Sequence, residues 1–303
     1  VSGILDAHQH IWNRSRAAYD WLGPDAGPIF RDFDLPEALA VLDDAGVDGT
    51  ILVQSADNDE DTEFMLEAAR ASARVRGVVA WVPLDEPARA AERLAELRAD
   101  PIVCGIRSLI HTRDDPHWLL RPDVDAGLGL LEDAGVPFDV VAVLPEHLEA
   151  VLVVSERHPG LRMVIDHLGK PPLGGGGGGG GQGGGQGGGP HDRHDWDWHG
   201  LIAEVAANPL VFGKVSGLYP PGGLAGAAGP AASDALRPVF DCAVEVFGPD
   251  RLMYGGDWPI SLLAGGYRAV LASLTPLLDG LDPRDRERIL SGTARDFYRT
   301  EHP

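Results

Sequence analysis

A closed barrel of eight parallel strands, each followed by a helix, is the architecture this sequence predicts, and three observations predict it. Short apolar runs recur along the chain, each followed by a turn and a longer amphipathic segment. This is the alternation of βα units, whose parallel strands are buried on both faces. The runs number eight, as a (β/α)8 TIM barrel requires. No Gly-x-Gly-x-x-Gly follows the first run, although an open doubly wound sheet that binds a dinucleotide is expected to carry one there.

The strands are expected at Ile4 to Ala7, Gly49 to Gln54, Val78 to Leu84, Ile102 to Leu109, Phe138 to Val143, Arg162 to Asp166, Val211 to Ser216 and Arg251 to Tyr254. Helical stretches lie between them at Pro36 to Ala45, Asp61 to Ala73, Pro87 to Leu97, Pro145 to Arg157, Trp198 to Ala207, Ala235 to Phe247 and Tyr267 to Leu274. Punctuation agrees with this reading. Asp34-Leu35-Pro36-Glu37 offers an N-cap with Pro and Glu in the first turn. Ala45-Gly46 and Ala134-Gly135 supply helix stops just before strands. With 303 residues and 44% hydrophobic composition, one barrel domain over residues 1–303 accounts for the whole chain.

One segment departs from this rhythm. Gly174 to Gly189 is glycine interrupted only by Gln182 and Gln186. Such a composition buries too little apolar surface to offset its chain entropy, so a flexible loop is expected. It follows the sixth strand on the C-terminal face, where barrel active sites lie. Without a following Lys-Ser/Thr it does not read as a phosphate loop.

The formal charge of −21 argues against nucleic acid and anionic membrane surfaces as partners, and favours a neutral or cationic small molecule. No window approaches the roughly 18 apolar residues of a membrane span. With no secretory signal before Ile4, a cytoplasmic location is the expectation. Cys104 and Cys242 lack metal-type spacing and read as buried free thiols.

The chemistry starts at Asp6-Ala7-His8-Gln9-His10, which closes the first apolar run. Residues i and i+2 of a strand share a face, so the two imidazoles point the same way. Asp166-His167 closes the sixth run, Lys214 lies in the seventh and Asp257 follows the eighth. In a barrel all strand ends meet at one mouth. His8, His10, His167 and Asp257 are then either a first shell for one metal ion or a polar trap for a carbonyl with Asp257 as general base. Taken singly, each also has a structural reading, as a turn cap or a satisfied core polar group.

These blocks resemble the amidohydrolase superfamily. The matching residues are Asp6 to Trp12, Arg31-Asp32-Phe33, Val53-Gln54, Gly77 to Val82, Gly105-Ile106-Arg107, Asp166-His167-Leu168-Gly169-Lys170-Pro171, Lys214 to Leu218 and Tyr254-Gly255-Gly256-Asp257-Trp258-Pro259. The resemblance narrows to a branch of sugar-acid and related lactonases that includes L-fuconolactonase, L-rhamnonolactonase and 2-pyrone-4,6-dicarboxylate lactonase. It implies a distorted amidohydrolase-type barrel and a hydrolase that opens the ring of a lactone like L-fucono- or L-rhamnonolactone. Dicarboxylate or muconolactone substrates, and a metal-dependent decarboxylase, are the alternatives.

By the same resemblance, Asp257 activates water, and His8, His10 and His167 are its catalytic neighbours. The branch is associated with weak, single or absent metal dependence. One divalent ion, zinc by ligand type, would be held by His8, His10, His167 and Asp257 if a mononuclear metal is bound. Strand four offers Arg107 and strand five Asp139 where a second metal would need its ligands, which argues against a binuclear site. Arg107 is the candidate for holding a substrate hydroxyl or carboxylate. Gln54, Trp81, Trp118 and Trp258 are candidates to line the pocket, since aromatic faces suit sugar C–H surfaces. Gly256 stands where many relatives have Ser, a change expected to leave the chemistry almost untouched.

Overall fold

The eight apolar runs form one parallel sheet in sequence order. Its strands are β1 (Leu5–Gln9), β2 (Gly49–Val53), β3 (Val75–Ala80), β4 (Val103–Ser108), β5 (Phe138–Val140), β6 (Met163–Ile165), β7 (Val211–Val215) and β8 (Leu252–Tyr254). An isolated parallel bridge between Gln9 and Trp258 joins the last strand to the first, and His10 N–H donates to the Trp258 carbonyl at 2.7 Å. The result is a (β/α)8 TIM barrel. The computed structural model describes residues 3–173, 196–220 and 230–300. The expectation for Gly174 to Gly189 therefore lies outside the described residues.

Helices α1 (Leu35–Ala45), α2 (Asp59–Ala71), α3 (Pro87–Leu97), α4 (Pro122–Ala134), α5 (Pro145–Arg157), α6 (Trp198–Ala206), α7 (Pro230–Phe247) and α8 (Tyr267–Leu278) follow the strands, and α9 (Pro283–Glu287) and α10 (Thr293–Tyr298) end the described chain. The Asp34 side chain accepts from Glu37 N–H as the N-cap of α1, and Gly46 and Gly135 close α1 and α4 in left-handed conformations. Helix α4 ends at the stop that Ala134-Gly135 announces, although Gly127 and Gly129 dilute its helical propensity and blur its extent in the sequence. The short α9 and α10 have too little periodicity to stand out. No helix among the described residues is long and apolar enough to cross a membrane.

Two apolar layers result. Leu52, Val78, Ile106, Phe138, Ile165 and Leu252 face outward and pack against helical residues such as Leu42, Leu66, Leu94, Leu128 and Val151. The inner layer joins Leu5, Ala7, Ile51, Val53, Val79, Val164 and Met253 with Phe297 and Tyr298 of α10, which plug the interior near the strand starts. Cys104 and Cys242 are free thiols but only half-buried, a correction to the expectation that both are buried. Cys242 packs against the outer apolar layer and Cys104 against the inner one.

Candidate active site

A break in strand register aims the two histidines at the end of β1. Leu5 and Ala7 belong to the inner apolar layer, so strict alternation would turn His8 and His10 outward. Pairing with β2 runs Leu5–Gly49, Asp6–Thr50 and then Gln9–Leu52. Between Asp6 and Gln9 the first strand therefore carries one residue more than its partner. Such a bulge re-aims side chains. It lets His8 and His10 turn inward while Gln9 reaches out to the Ala38 carbonyl of α1. Asp6, also outward, accepts from His8 N–H at 2.8 Å, Gly256 N–H at 2.9 Å and the Tyr267 hydroxyl of α8 at 2.8 Å.

The end of β6 uses a different device. Asp166 points inward, and His167, Leu168, Gly169 and Lys170 all have φ between 51° and 73°. A left-handed turn of this kind is unfavourable for non-glycine residues, by about 1–2 kcal/mol each. Here it is held by Lys170 N–H on the His167 carbonyl at 3.0 Å, by the Trp198 indole on the Leu168 carbonyl at 2.7 Å, and by complete burial of Leu168. Its effect is that consecutive residues, Asp166 and His167, both face the site. Asp257, with φ 50°, is a further left-handed position, tied to β1 by its N–H on the His8 carbonyl at 2.8 Å.

These devices bring His8, His10, His167 and Asp257 together, all 5% exposed or less. The His8 ring centroid lies 4.8 Å from that of His10 and 4.6 Å from that of His167. Asp257 Oδ1 is 3.5 Å from His10 Nε2 and 3.8 Å from His8 Nε2. Each imidazole is held through Nδ1: His8 beside Asp166 at 3.3 Å, His10 on the Val53 carbonyl at 2.7 Å, and His167 on Ser216 Oγ at 2.9 Å. Burial lowers His167 to about 3 and His8 well below its ordinary range. Burial alone would raise Asp257; the neighbouring His167, His10, His8 and Lys170 outweigh it and hold the carboxyl well below the usual range.

The donor set suits a divalent cation. One ligand atom each from His8, His167 and Asp257 lies within 4.8 Å of the others. Ring orientation by an outer partner on Nδ1 is how metal-binding histidines are usually fixed. His10 Nδ1 lies on the Val53 carbonyl and its Nε2 faces Asp257 Oδ1, so both ring nitrogens meet acceptors and positive charge, from a bound cation or a proton, is favoured there.

Below these groups lies a fully buried charge cluster. Lys214 donates to Asp139 at 2.6 Å and is 3.1 Å from Asp166 Oδ1 and 3.2 Å from His8 Nδ1. Arg107 donates to Asp166 at 2.9 Å and to the Gln54 carbonyl at 2.5 Å, and Tyr298 caps Asp139 at 2.7 Å. Burial opposes charge on Lys214, but Asp139 and Asp166 keep it protonated above its ordinary range. Arg107, expected to meet substrate, is held by Asp166 and the Gln54 carbonyl, with its Nη1 3.5 Å from His8 Nε2 at the floor of the site.

The other expected pocket residues separate. Gln54 donates to the Arg107 carbonyl at 3.1 Å and so ties β2 to β4. Trp81 is buried, and its backbone N–H donates to Thr62 Oγ1 at 3.2 Å. Trp118 lies under the Arg113 guanidinium, 4.2 Å from it, and its indole N–H has no partner among the described residues. Trp258 is 1% exposed and packs edge-on against Phe33 at 5.2 Å, which places it in the core. Ser216, Tyr219 and Lys170 touch the site without having been singled out for a role. Their motifs were visible, but their contacts are set by loops.

Gly256, where many relatives have Ser, is fixed by packing rather than by chemistry. A Cβ there would lie 2.0 Å from the Tyr267 ring and 2.8 Å from Asp6 Oδ2. Tyr267 fills the space a serine would need. Gly256→Ser is expected to cost about 1–3 kcal/mol by overpacking, read as a lower urea midpoint with an unchanged m-value.

Residues 5–300 match the amidohydrolase family Amidohydro_2. The chain belongs to the amidohydrolase family. It is 34% identical to an L-fucono-1,5-lactonase of Burkholderia ambifaria over 99% of this chain and 96% of that protein. It is 33% identical to an L-fucono-1,5-lactonase of Burkholderia multivorans over 99% of this chain and 97% of that protein. Among solved structures, it resembles an amidohydrolase from Burkholderia multivorans with bound zinc, with TM-score 0.80, 28% identity, and coverage of 98% of this chain and 99% of that one. The amidohydrolase barrel thus extends over both the fold and the strand ends that carry the site.

Proposed function

We infer that this protein is a hydrolase that opens the ring of a sugar-acid lactone of the L-fucono-lactone kind. The observation that carries the reading is a buried, ionised Asp257 set against three imidazoles at the strand ends. The similarity to two L-fucono-1,5-lactonases over almost the full chain supports the substrate class. Lactone hydrolysis needs an activated water, a polarised carbonyl and a proton for the departing ring oxygen. Asp257 takes the water proton, and the imidazoles orient the water and face the oxyanion that develops at the carbonyl. Asp257, once protonated, returns that proton to the ring oxygen.

His8, His167 and Asp257 would hold a divalent cation, zinc by the chemistry of the donors, and the relative with bound zinc supports this. When bound, such an ion supplies Lewis acidity that lowers the pKa of water.

Among lactones, the charge layout favours a neutral ring over a dicarboxylate. Arg107 already donates to Asp166 and to the Gln54 carbonyl. Arg31 turns to Glu37 on the surface. Both arginines considered for a dicarboxylate already hold acceptors of the protein itself. The test is a pH-indicator assay over aldonolactones and dicarboxylate lactones, with and without chelator and added zinc. The expected result is at least about tenfold higher kcat/KM for an aldonolactone, equivalent to ~1.4 kcal/mol of discrimination. Turnover of the dicarboxylates alone would sink the neutral-ring assignment.

A further inference from the structure

Three side chains of the site are met by one short segment after β7. Ser216 Oγ is 2.9 Å from His167 Nδ1, the Gly217 carbonyl accepts from Lys170 Nζ at 3.1 Å, and the Tyr219 hydroxyl donates to Asp257 Oδ2 at 2.8 Å. Gly217 has φ 57°, and a Cβ on it would lie 2.3 Å from His167 Nδ1. The segment is wrapped closely around the imidazole, which requires glycine at that point.

The contact at Asp257 distinguishes its two oxygens. Oδ2 carries the Tyr219 hydroxyl, while Oδ1 faces His10 Nε2 at 3.5 Å and His8 Nε2 at 3.8 Å. The last torsion of an aspartate is broad and roughly two-fold, so the side chain alone does not choose which oxygen points where. A directional donor on one oxygen makes that choice.

We propose that Tyr219 is a positioning residue for Asp257, holding Oδ2 so that Oδ1 is the oxygen presented to the attacking water. The inference rests on Asp257 being the base of the reaction proposed above. Tyr219 acts through the carboxylate and takes no part in bond making. Removing its hydroxyl frees the carboxylate to turn. A hydrogen bond to a charged group sets the size of the effect, about 10- to 100-fold in kcat. KM changes little, because the hydroxyl is engaged with Asp257.

The test is a double-mutant cycle on the full chain, with an aldonolactone that the unmodified protein hydrolyses as substrate. Tyr219→Phe, Asp257→Asn and the double variant are compared for kcat, KM and melting temperature. Tyr219→Phe alone is expected to lower kcat by about 10- to 100-fold with KM within about threefold. In the Asp257→Asn background the same change is expected to cost less than about twofold, since no base remains to be positioned. Equal losses in both backgrounds would mean that Tyr219 acts on the substrate or on the fold, and would overturn the proposal. Unchanged kcat in Tyr219→Phe would overturn it too. Near-normal turnover in Asp257→Asn alone marks a different failure, that of the base assignment itself, and takes this inference with it.

Discussion

Asp257→Asn is expected to reduce lactone turnover by about 10²- to 10⁴-fold, the usual range for loss of a general base. The amide keeps the size of the side chain and can still accept from Tyr219, but it cannot take a proton. Burial works against charge on Asp257, and the surrounding His167, His10, His8 and Lys170 overcome it, so the group is ionised and ready to act at neutral pH. KM should stay within about threefold, because the change removes transition-state stabilisation rather than uniform binding. Steady-state kinetics at saturating aldonolactone, corrected for spontaneous hydrolysis, check this. Retention of near-normal rates would place water activation on another group.

Lys214→Met should be among the most destabilising single changes in the chain, at about 3–5 kcal/mol. Lys214 is 0% exposed and is shared by Asp139 at 2.6 Å and Asp166 at 3.1 Å, both also 0% exposed. Removing the ammonium leaves Arg107 to balance two buried carboxylates, of which it touches only Asp166. Methionine keeps most of the volume, so the loss reports charge rather than packing. Equilibrium urea unfolding measures it. Adding Asp139→Asn should recover part of the stability, because it removes the carboxylate that lost its cation. A loss under about 1 kcal/mol for Lys214→Met would mean that the pair is not charged in the folded protein.

The barrel was legible because its cause is local. Buried parallel strands are short apolar runs such as Met163-Val164-Ile165, and stops such as Ala45-Gly46 announce each joint. Element ends moved by a few residues, as at β3, which begins at Val75 rather than Val78. Two helices at the end of the described chain, and α4 with its paired glycines, were less legible because their stability comes from packing rather than propensity. Residue chemistry was legible for the same reason. His8, His10, His167 and Asp257 stand at strand ends in the sequence and converge in the structure.

Direction and partnership were not legible. His8 and His10 share a face by their spacing alone, but that the face is the interior follows from one extra residue against β2. Register is a property of two strands, and neither strand encodes it separately. The partners of Arg107 and Trp258, which are Asp166, the Gln54 carbonyl and Phe33, come from other strands and loops and are not marked in the sequence around either residue. Lys214 stands out as a charged residue in an apolar run, yet its role depends on carboxylates 75 residues away at Asp139 and just past the neighbouring strand β6 at Asp166. The sequence by itself determined which chemical groups lie at the strand ends, because hydrophobic period and turn residues act over a few neighbours. The tertiary structure alone decided which of those groups remain available for chemistry, because a buried charge or donor is satisfied by whatever partner the fold brings within about 3 Å, and that partner is set by the whole chain.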